Sequence, residues 1–235
     1  MLVSGLLGAA YLAWLALSAV DFGYPWLYDA LEIDAHIERF GPQNRYREGF
    51  EQTSDARRIA LFGGIVDAIN NGGRGLEALS YRPGTGRQAV PLLRQPEIEH
   101  LRLVGELVAM LRALGAVALG VFIALVGGMA VRRIRPARLL PVGGMALGGL
   151  AAGALVFASF DVSDTGWFAR LHEWVFPPDH QWFFYYQDSL MTTLMKAPDL
   201  FGPMAAALGL TTCVFYAALL GVAQWILGSR GGSAT

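Results

Sequence analysis

Four long apolar runs without a charged side chain constrain this fold more than any other feature. They cover residues 2–20, 113–131, 139–160 and 201–227. At 1.5 Å per residue, each run can cross most or all of a hydrocarbon layer about 30 Å thick. Hydrophobic residues make up 54% of the chain and charged residues only 16%, a composition unlike that of an ordinary soluble domain. The sequence therefore predicts an all-α polytopic membrane protein with four transmembrane helices.

The polar segments between these runs predict how the chain is divided. A cleaved signal peptide is the alternative for the first run, because Ala16-Leu17-Ser18-Ala19 offers small residues at a possible cleavage site. Against this alternative, no Lys or Arg precedes the apolar run. We expect transmembrane helix 1 at residues 1–20, an extracytoplasmic cap at 21–95, a helix at 96–131 that continues into the membrane as the second span, a cytoplasmic loop at 132–138, a third span at 139–160, an extracytoplasmic interfacial segment at 161–199, a fourth span at 200–228 and a cytoplasmic tail at 229–235.

The orientation follows from one short basic loop. Residues 132–138 read Arg-Arg-Ile-Arg-Pro-Ala-Arg, and short Arg-rich loops stay in the cytoplasm. Both termini are then predicted to be cytoplasmic, with the cap and the interfacial segment on the outer face. The sequence therefore predicts a multi-pass membrane protein.

The cap is predicted to be small and of mixed α/β structure. Thr53 or Ser54 is a suitable cap for a helix that ends at Asn70-Asn71-Gly72-Gly73. Pro83-Gly84-Thr85-Gly86 then indicates a turn between two short strands. A net charge of −1 without a basic face argues against a nucleic-acid partner, and a single Cys213 excludes a disulfide framework.

Two histidines fall at the same predicted membrane edge. Pro96 favours the start of the helix that carries His100, and we expect His100 on the water-exposed part of that helix. His172 lies in a short helix predicted to be capped by Asp164 and ended by Pro177-Pro178. The Trp and Tyr residues around it are typical of a belt at the headgroup level. The two imidazoles are therefore predicted to share one face of the membrane.

Three short motifs resemble the bacterial lipoprotein intramolecular transacylases. They are Glu97-Ile98-Glu99-His100-Leu101, then Leu171-His172 followed by Trp182-Phe183, and Asp188-Ser189-Leu190 leading to Pro198-Asp199-Leu200-Phe201. The resemblance extends over nearly the whole chain. It implies an acyltransferase that moves the sn-2 acyl chain of a diacylglyceryl-cysteine lipoprotein onto the α-amino group of that cysteine, giving the lyso-form lipoprotein.

The resemblance also implies roles for individual residues. His100 and His172 are the implied catalytic acid and base, in either order. The family's Asp three residues after the first histidine is Leu103 here, so Glu97, Glu99 or Glu106 becomes the candidate for orienting His100. Trp182 and Asp188 are further candidates for binding substrate or orienting His172. No metal and no cofactor is expected, and the partners are the lipoprotein and membrane lipids.

Other interpretations remain open at this stage. Histidines close to acids also suit a metal-assisted hydrolase at the membrane surface, although no HExxH spacing is present. A protein without enzymatic activity that grips a lipid or a partner helix through its aromatic belt is the alternative outside enzymes. His36 is expected to be solvated and His180 to be an ordinary loop residue.

Overall fold

The structure, a computed structural model, describes residues 1–84, 88–134, 144, 147–149, 152–153 and 166–229. Within these residues the fold is mostly helical, with one two-stranded sheet. The α-helices are α1 (Leu2–Ser18), α2 (Tyr24–Ala30), α3 (Ile33–Phe40), α4 (Asp55–Asn70), α5 (Gln95–Val131), α6 (Trp167–Val175), α7 (Leu190–Met195) and α8 (Phe201–Ser229). Short 3₁₀ helices lie at Asp21–Gly23, Gly41–Gln43, Phe50–Gln52 and Leu76–Ala78.

Two of the described helices are long and apolar enough to cross a membrane. They are α5 and the Phe201–Gly228 part of α8. A third span results only if α1 and the helical residues Asp21–Ala30, which follow it across a sharp bend, act together. The predicted third span at 139–160 lies largely outside the described residues, as do most of the predicted loop 132–138 and the tail.

The helix α5 extends well beyond what a bilayer requires. It has 37 residues, which is about 55 Å of helix against about 30 Å of hydrocarbon. Its start beside Pro96 and its unbroken course to Val131 confirm the prediction from the sequence. The charged residues of the helix lie in its first half, so the uncharged run 113–131 is the part suited to lipid.

The described residues divide into two compact units. The first is drawn from Met1–Leu17, Met110–Ser159 and Ala205–Thr235. Its core forms where α1, α5 and α8 bury small and aromatic side chains together, and the buried residues are Ala9, Phe122, Val126, Tyr216, Leu220 and Ala223. A Cβ on Gly8 would lie 3.0 Å from the Leu119 backbone. Glycine therefore permits the close approach of α1 and α5, as is common between helices in lipid.

The second unit, Ser18–Ala109 with Phe160–Met204, holds the cap. Ser54 caps α4 by accepting a hydrogen bond from the Arg57 amide, and α4 ends at Asn70 as predicted. Strand β1 (Ser80–Tyr81) pairs antiparallel with β2 (Val90–Pro91), so the predicted hairpin is present but with shorter strands. Residues 85–87 of its turn lie outside the described residues.

Ser189 caps α7 by accepting a hydrogen bond from the Thr192 amide at its Oγ. Two local predictions for the second unit differ from the structure. The residue that precedes α6 is Gly166, without a side-chain cap, and Asp164 lies outside the described residues. His36 is half-buried rather than solvated, because its ring packs between Phe40 and Tyr186.

Candidate functional site

His100 lies near the start of α5 and is buried in the second unit. Only 7% of the residue is exposed, which corrects the expectation that it faces water. The rings of Phe176 and Phe184 lie 5.4 and 6.2 Å from the His100 ring, centroid to centroid. Apolar aromatic rings therefore provide much of its described surroundings.

His172 of α6 lies beside His100. The ring centroids are 5.8 Å apart and the ring planes are inclined by 27°. His172 is 9% exposed, and Trp182 stacks on it with a centroid distance of 4.7 Å. Two imidazoles separated by 72 positions in the sequence thus lie together, and one indole limits the position of the second ring.

A third imidazole, that of His180, completes the cluster. Its Nε2 lies 3.1 Å from Nδ1 of His100, which is hydrogen-bonding distance. The His180 amide donates to the Pro177 carbonyl at 3.0 Å, so the turn after α6 directs this ring toward α5. No periodic pattern marks a loop histidine, which is why the sequence did not single it out. The Pro pair before it was the available signal of a tight turn.

A cavity of about 380 Å³ adjoins the histidine cluster. His100, His172 and Trp182 contribute to its wall. The rest is mainly apolar and includes Ile69, Leu101, Val104, Met191, Met195 and Phe201. A few polar groups at the wall of an otherwise apolar cleft are typical of sites that bind small molecules or lipid groups.

Tyr186 adds one phenol to the same wall. Burial raises the pKa of Tyr186, and the carboxylate of Asp199 raises it further. The phenol therefore keeps its proton at neutral pH, and it donates that proton to the Ala197 carbonyl at 2.6 Å. Its hydrogen bond joins the two ends of the segment that contains α7.

Glu97 holds the backbone around the site. Its carboxylate is fully buried and accepts hydrogen bonds from the Ser189 hydroxyl at 2.5 Å, the Arg94 amide at 2.7 Å and the Met191 amide at 3.3 Å. The Arg94 side chain also lies 3.5 Å from it. These bonds connect the first turn of α5, which carries His100 three residues later, to the start of α7.

The other acids predicted near the site have different partners. Glu99 accepts a hydrogen bond from Gln95 and is exposed. Glu106 pairs with Arg102 across one turn of α5. Asp188 forms an ion pair with Arg45 at 2.9 Å. Among the described residues, none of the proposed carboxylates bonds to His100.

The described residues contain no group of three His, Cys, Asp or Glu side chains arranged to hold a metal ion. Within the histidine cluster, the imidazoles and the Trp182 ring are the groups that the structure brings together.

Comparisons of the chain with protein families, with curated proteins and with solved structures found no match.

Proposed function

We propose that this protein is a membrane acyltransferase that moves an acyl chain from a glyceryl oxygen to the α-amino group of the same lipoprotein. The observation that carries the proposal is the His100 and His172 pair at the wall of an apolar cavity, with ring centroids 5.8 Å apart. Proton transfer and apolar binding are the two requirements of this reaction. The resemblance of the three short motifs to the lipoprotein transacylases supports the same assignment.

Histidine suits the proton transfer that this reaction needs. An α-amino group titrates at about 7.7 to 8.0 and an unperturbed imidazole at about 6.5. Burial and the neighbouring His172 and His180 lower the pKa of His100 to about 3, so this ring is neutral at neutral pH and offers a lone pair to the amine proton as the amine attacks. The neutral amine attacks the ester carbonyl. The bond between nitrogen and the acyl carbon forms, and the bond between that carbon and the glyceryl oxygen breaks.

The second imidazole donates a proton to the leaving group. A glyceryl alkoxide is a poor leaving group unless a proton reaches its oxygen as the ester bond breaks. One histidine therefore acts as base toward the amine and the other as acid toward the oxygen. The amine and the ester belong to one molecule, so binding supplies the orientation without a covalent enzyme intermediate.

The cavity is the binding place for the acyl chain in this proposal, since it adjoins the imidazoles. Its described wall is lined largely by aliphatic, Met and Phe side chains beside the histidine pair. An apolar wall binds a hydrocarbon chain by removing both surfaces from water. In the proposed orientation the reaction takes place on the outer face of a bacterial inner membrane, and both termini are cytoplasmic.

Mass spectrometry of a reporter lipoprotein tests the proposal. In cells that contain this protein, the N-terminal cysteine should carry an amide-linked acyl chain and a monoacyl glyceryl group. His100→Ala and His172→Ala should each reduce this product by roughly 100-fold or more, because each removes an acid or base group. Arg102→Gln and Glu173→Gln are matched controls, since both are exposed neighbours on the same helices.

The same spectra distinguish the alternatives. An intact diacyl reporter in cells that contain the wild-type protein would contradict the proposal. Release of free fatty acid without a new amide would instead indicate a hydrolase. If cells that contain either histidine variant behave like cells that contain the wild-type protein, a role in binding lipid or a partner helix explains the cavity better.

A further inference from the structure

The contact between His100 and His180 restricts the protonation of both rings. Nδ1 of His100 and Nε2 of His180 are 3.1 Å apart. A hydrogen bond between two imidazoles requires a proton on one nitrogen and a lone pair on the other. The nitrogen of His100 that remains for a substrate is therefore Nε2, and its state is determined by the direction of this bond.

The surroundings of the two rings differ. His100 is 7% exposed and lies against Phe176 and Phe184, whereas His180 is only half-buried. His180 is not among the described residues that line the cavity. It therefore contacts His100 without lining the cavity, and its half-buried ring is more accessible to water than that of His100.

We propose that His180 is a positioning residue that orients His100, and that it also passes the proton released by the reaction to water. In this arrangement Nδ1–H of His100 donates to Nε2 of His180, so Nε2 of His100 carries the lone pair and acts as the base. His172 is then the acid that donates a proton to the glyceryl oxygen. This inference rests on the proposed function and assigns the roles that the sequence leaves open.

The proton balance of the reaction requires such a release of a proton. An ammonium group that becomes an amide nitrogen loses two protons, and the glyceryl oxygen takes up one of them. One proton must therefore reach solvent in each turnover. When Nε2 of His100 accepts a proton, its Nδ1 proton can pass to Nε2 of His180, and His180 can release a proton from its other nitrogen to water.

His180 also gives His100 a partner that orients its ring. A catalytic base generally needs a third group that fixes its tautomer and orientation. Glu99 and Glu106 have other partners, and Glu97 is occupied by Arg94, Ser189 and Met191. In the proposed direction of the bond, Nε2 of His180 is the acceptor for Nδ1–H of His100.

Substitution of His180 tests the positioning role. His180→Ala should lower kcat roughly 10- to 100-fold, as is typical when an orienting partner is lost, with KM changed by less than about threefold because His180 does not line the cavity. His180→Asn keeps an oxygen that can accept from His100 but cannot pass on a proton. Its kcat should recover at alkaline pH, whereas that of His180→Ala should recover less because His100 has also lost its orienting partner.

The pH profile needs a control for neighbouring groups. His172 is the titratable ring that faces His100 from α6, and the exposed Asp179 precedes His180. Asp179→Asn should leave kcat and its pH profile unchanged. A His180→Ala variant with the kcat and pH profile of the wild type would overturn the inference, provided that the wild type carries out the acyl shift.

Nitrogen NMR of histidine-labelled protein separates this inference from the proposed function. The chain has four histidines, so the imidazole signals can be assigned by single substitutions. In detergent-solubilised wild type, His100 should show its proton on Nδ1, and His180→Ala should change that signal but not that of His36. A proton on Nε2 of His100 in the wild type would overturn the inference. If the expected pattern appears while no acyl shift is found, the proposed function fails and the His100–His180 pairing stands.

Discussion

At the scale of single residues, His36 is held in a site that disfavours its charged form. Burial lowers the pKa of His36 to about 4, and the nearby charges of Lys196 and Arg39 contribute to the shift. Its Nε2 is buried and has no hydrogen-bond partner among the described residues, and its ring contacts Tyr186 with a centroid distance of 4.4 Å. A proton on this ring is therefore better accommodated in the unfolded chain than in the folded one.

This difference predicts that acid weakens the second unit through His36. The unfolded state binds the proton below about pH 6.5, while the folded state resists it down to about pH 4. Stability is therefore fully present above about pH 6.5 and is lost as the pH falls. From pH 7 to pH 5 this residue should lower the free energy of unfolding by about 2 kcal/mol.

Urea unfolding in detergent micelles at the two pH values provides the measurement. His36→Phe keeps an aromatic ring of similar shape but does not titrate, so it should lose about 2 kcal/mol less than the wild type on acidification. An equal loss in both proteins would show that other groups determine the acid sensitivity.

At the scale of elements, α5 is fixed by a close approach to the turn that follows α4. A Cβ on Gly105 would lie 2.6 Å from the Gly73 nitrogen and 3.0 Å from the Gly72 carbonyl carbon. Both of these are backbone atoms, which cannot rotate away as a side chain can. This contact holds α5 close to the turn, only five residues after His100.

Gly105→Ala is therefore expected to be destabilising. The added methyl group forces the helix away from the turn, at a cost of about 1 to 3 kcal/mol. Gly120→Ala is the matched control on the same helix, since no atom of the described part of the chain lies within 4 Å of its Cβ position, and it should be neutral or slightly stabilising. Thermal unfolding in detergent measures both, and equal melting temperatures for the two variants would contradict the close approach.

The elements that the sequence predicted well are those with strong local signals. Ser54 and the asparagine pair after α4 define one helix, and Pro96 with an uninterrupted apolar run defines α5. The bend after α1 was not predictable, because Phe22 adopts a positive φ of 54° that its residue type does not favour. Such a conformation is imposed by tertiary packing, which a single sequence does not reveal.

The site was predictable only in part, for a related reason. His100 and His172 each belong to a helix, and the motifs around them drew attention to both. The contact of His180 with His100 depends on how the turn after α6 folds back, as does the use of Glu97 to hold Ser189. Long-range contacts between loops leave no periodic trace in the sequence.

At the scale of the whole molecule, the proposed orientation makes a prediction that labelling can test. Cys213 is the single cysteine, so Cys213→Ser gives a background without thiols. Glu77→Cys, in the exposed 3₁₀ helix of the cap, should react with a membrane-impermeant thiol reagent in intact cells. Ile134→Cys keeps every Arg of the basic loop and should react only after permeabilisation. The reverse pattern would mean that the cap faces the cytoplasm.

The length of α5 has a consequence for the choice of substrate. Thirty-one residues separate His100 from Val131 on this helix, which is about 46 Å, whereas the hydrocarbon layer measures about 30 Å. With Val131 at the inner boundary of that layer and the helix upright, the imidazole stands roughly 15 Å beyond the outer boundary. Under the proposed function, an ester must then be lifted out of its leaflet before it reacts. A lipid tethered to a polypeptide that extends into water can be raised in this way, whereas a free phospholipid has no such handle.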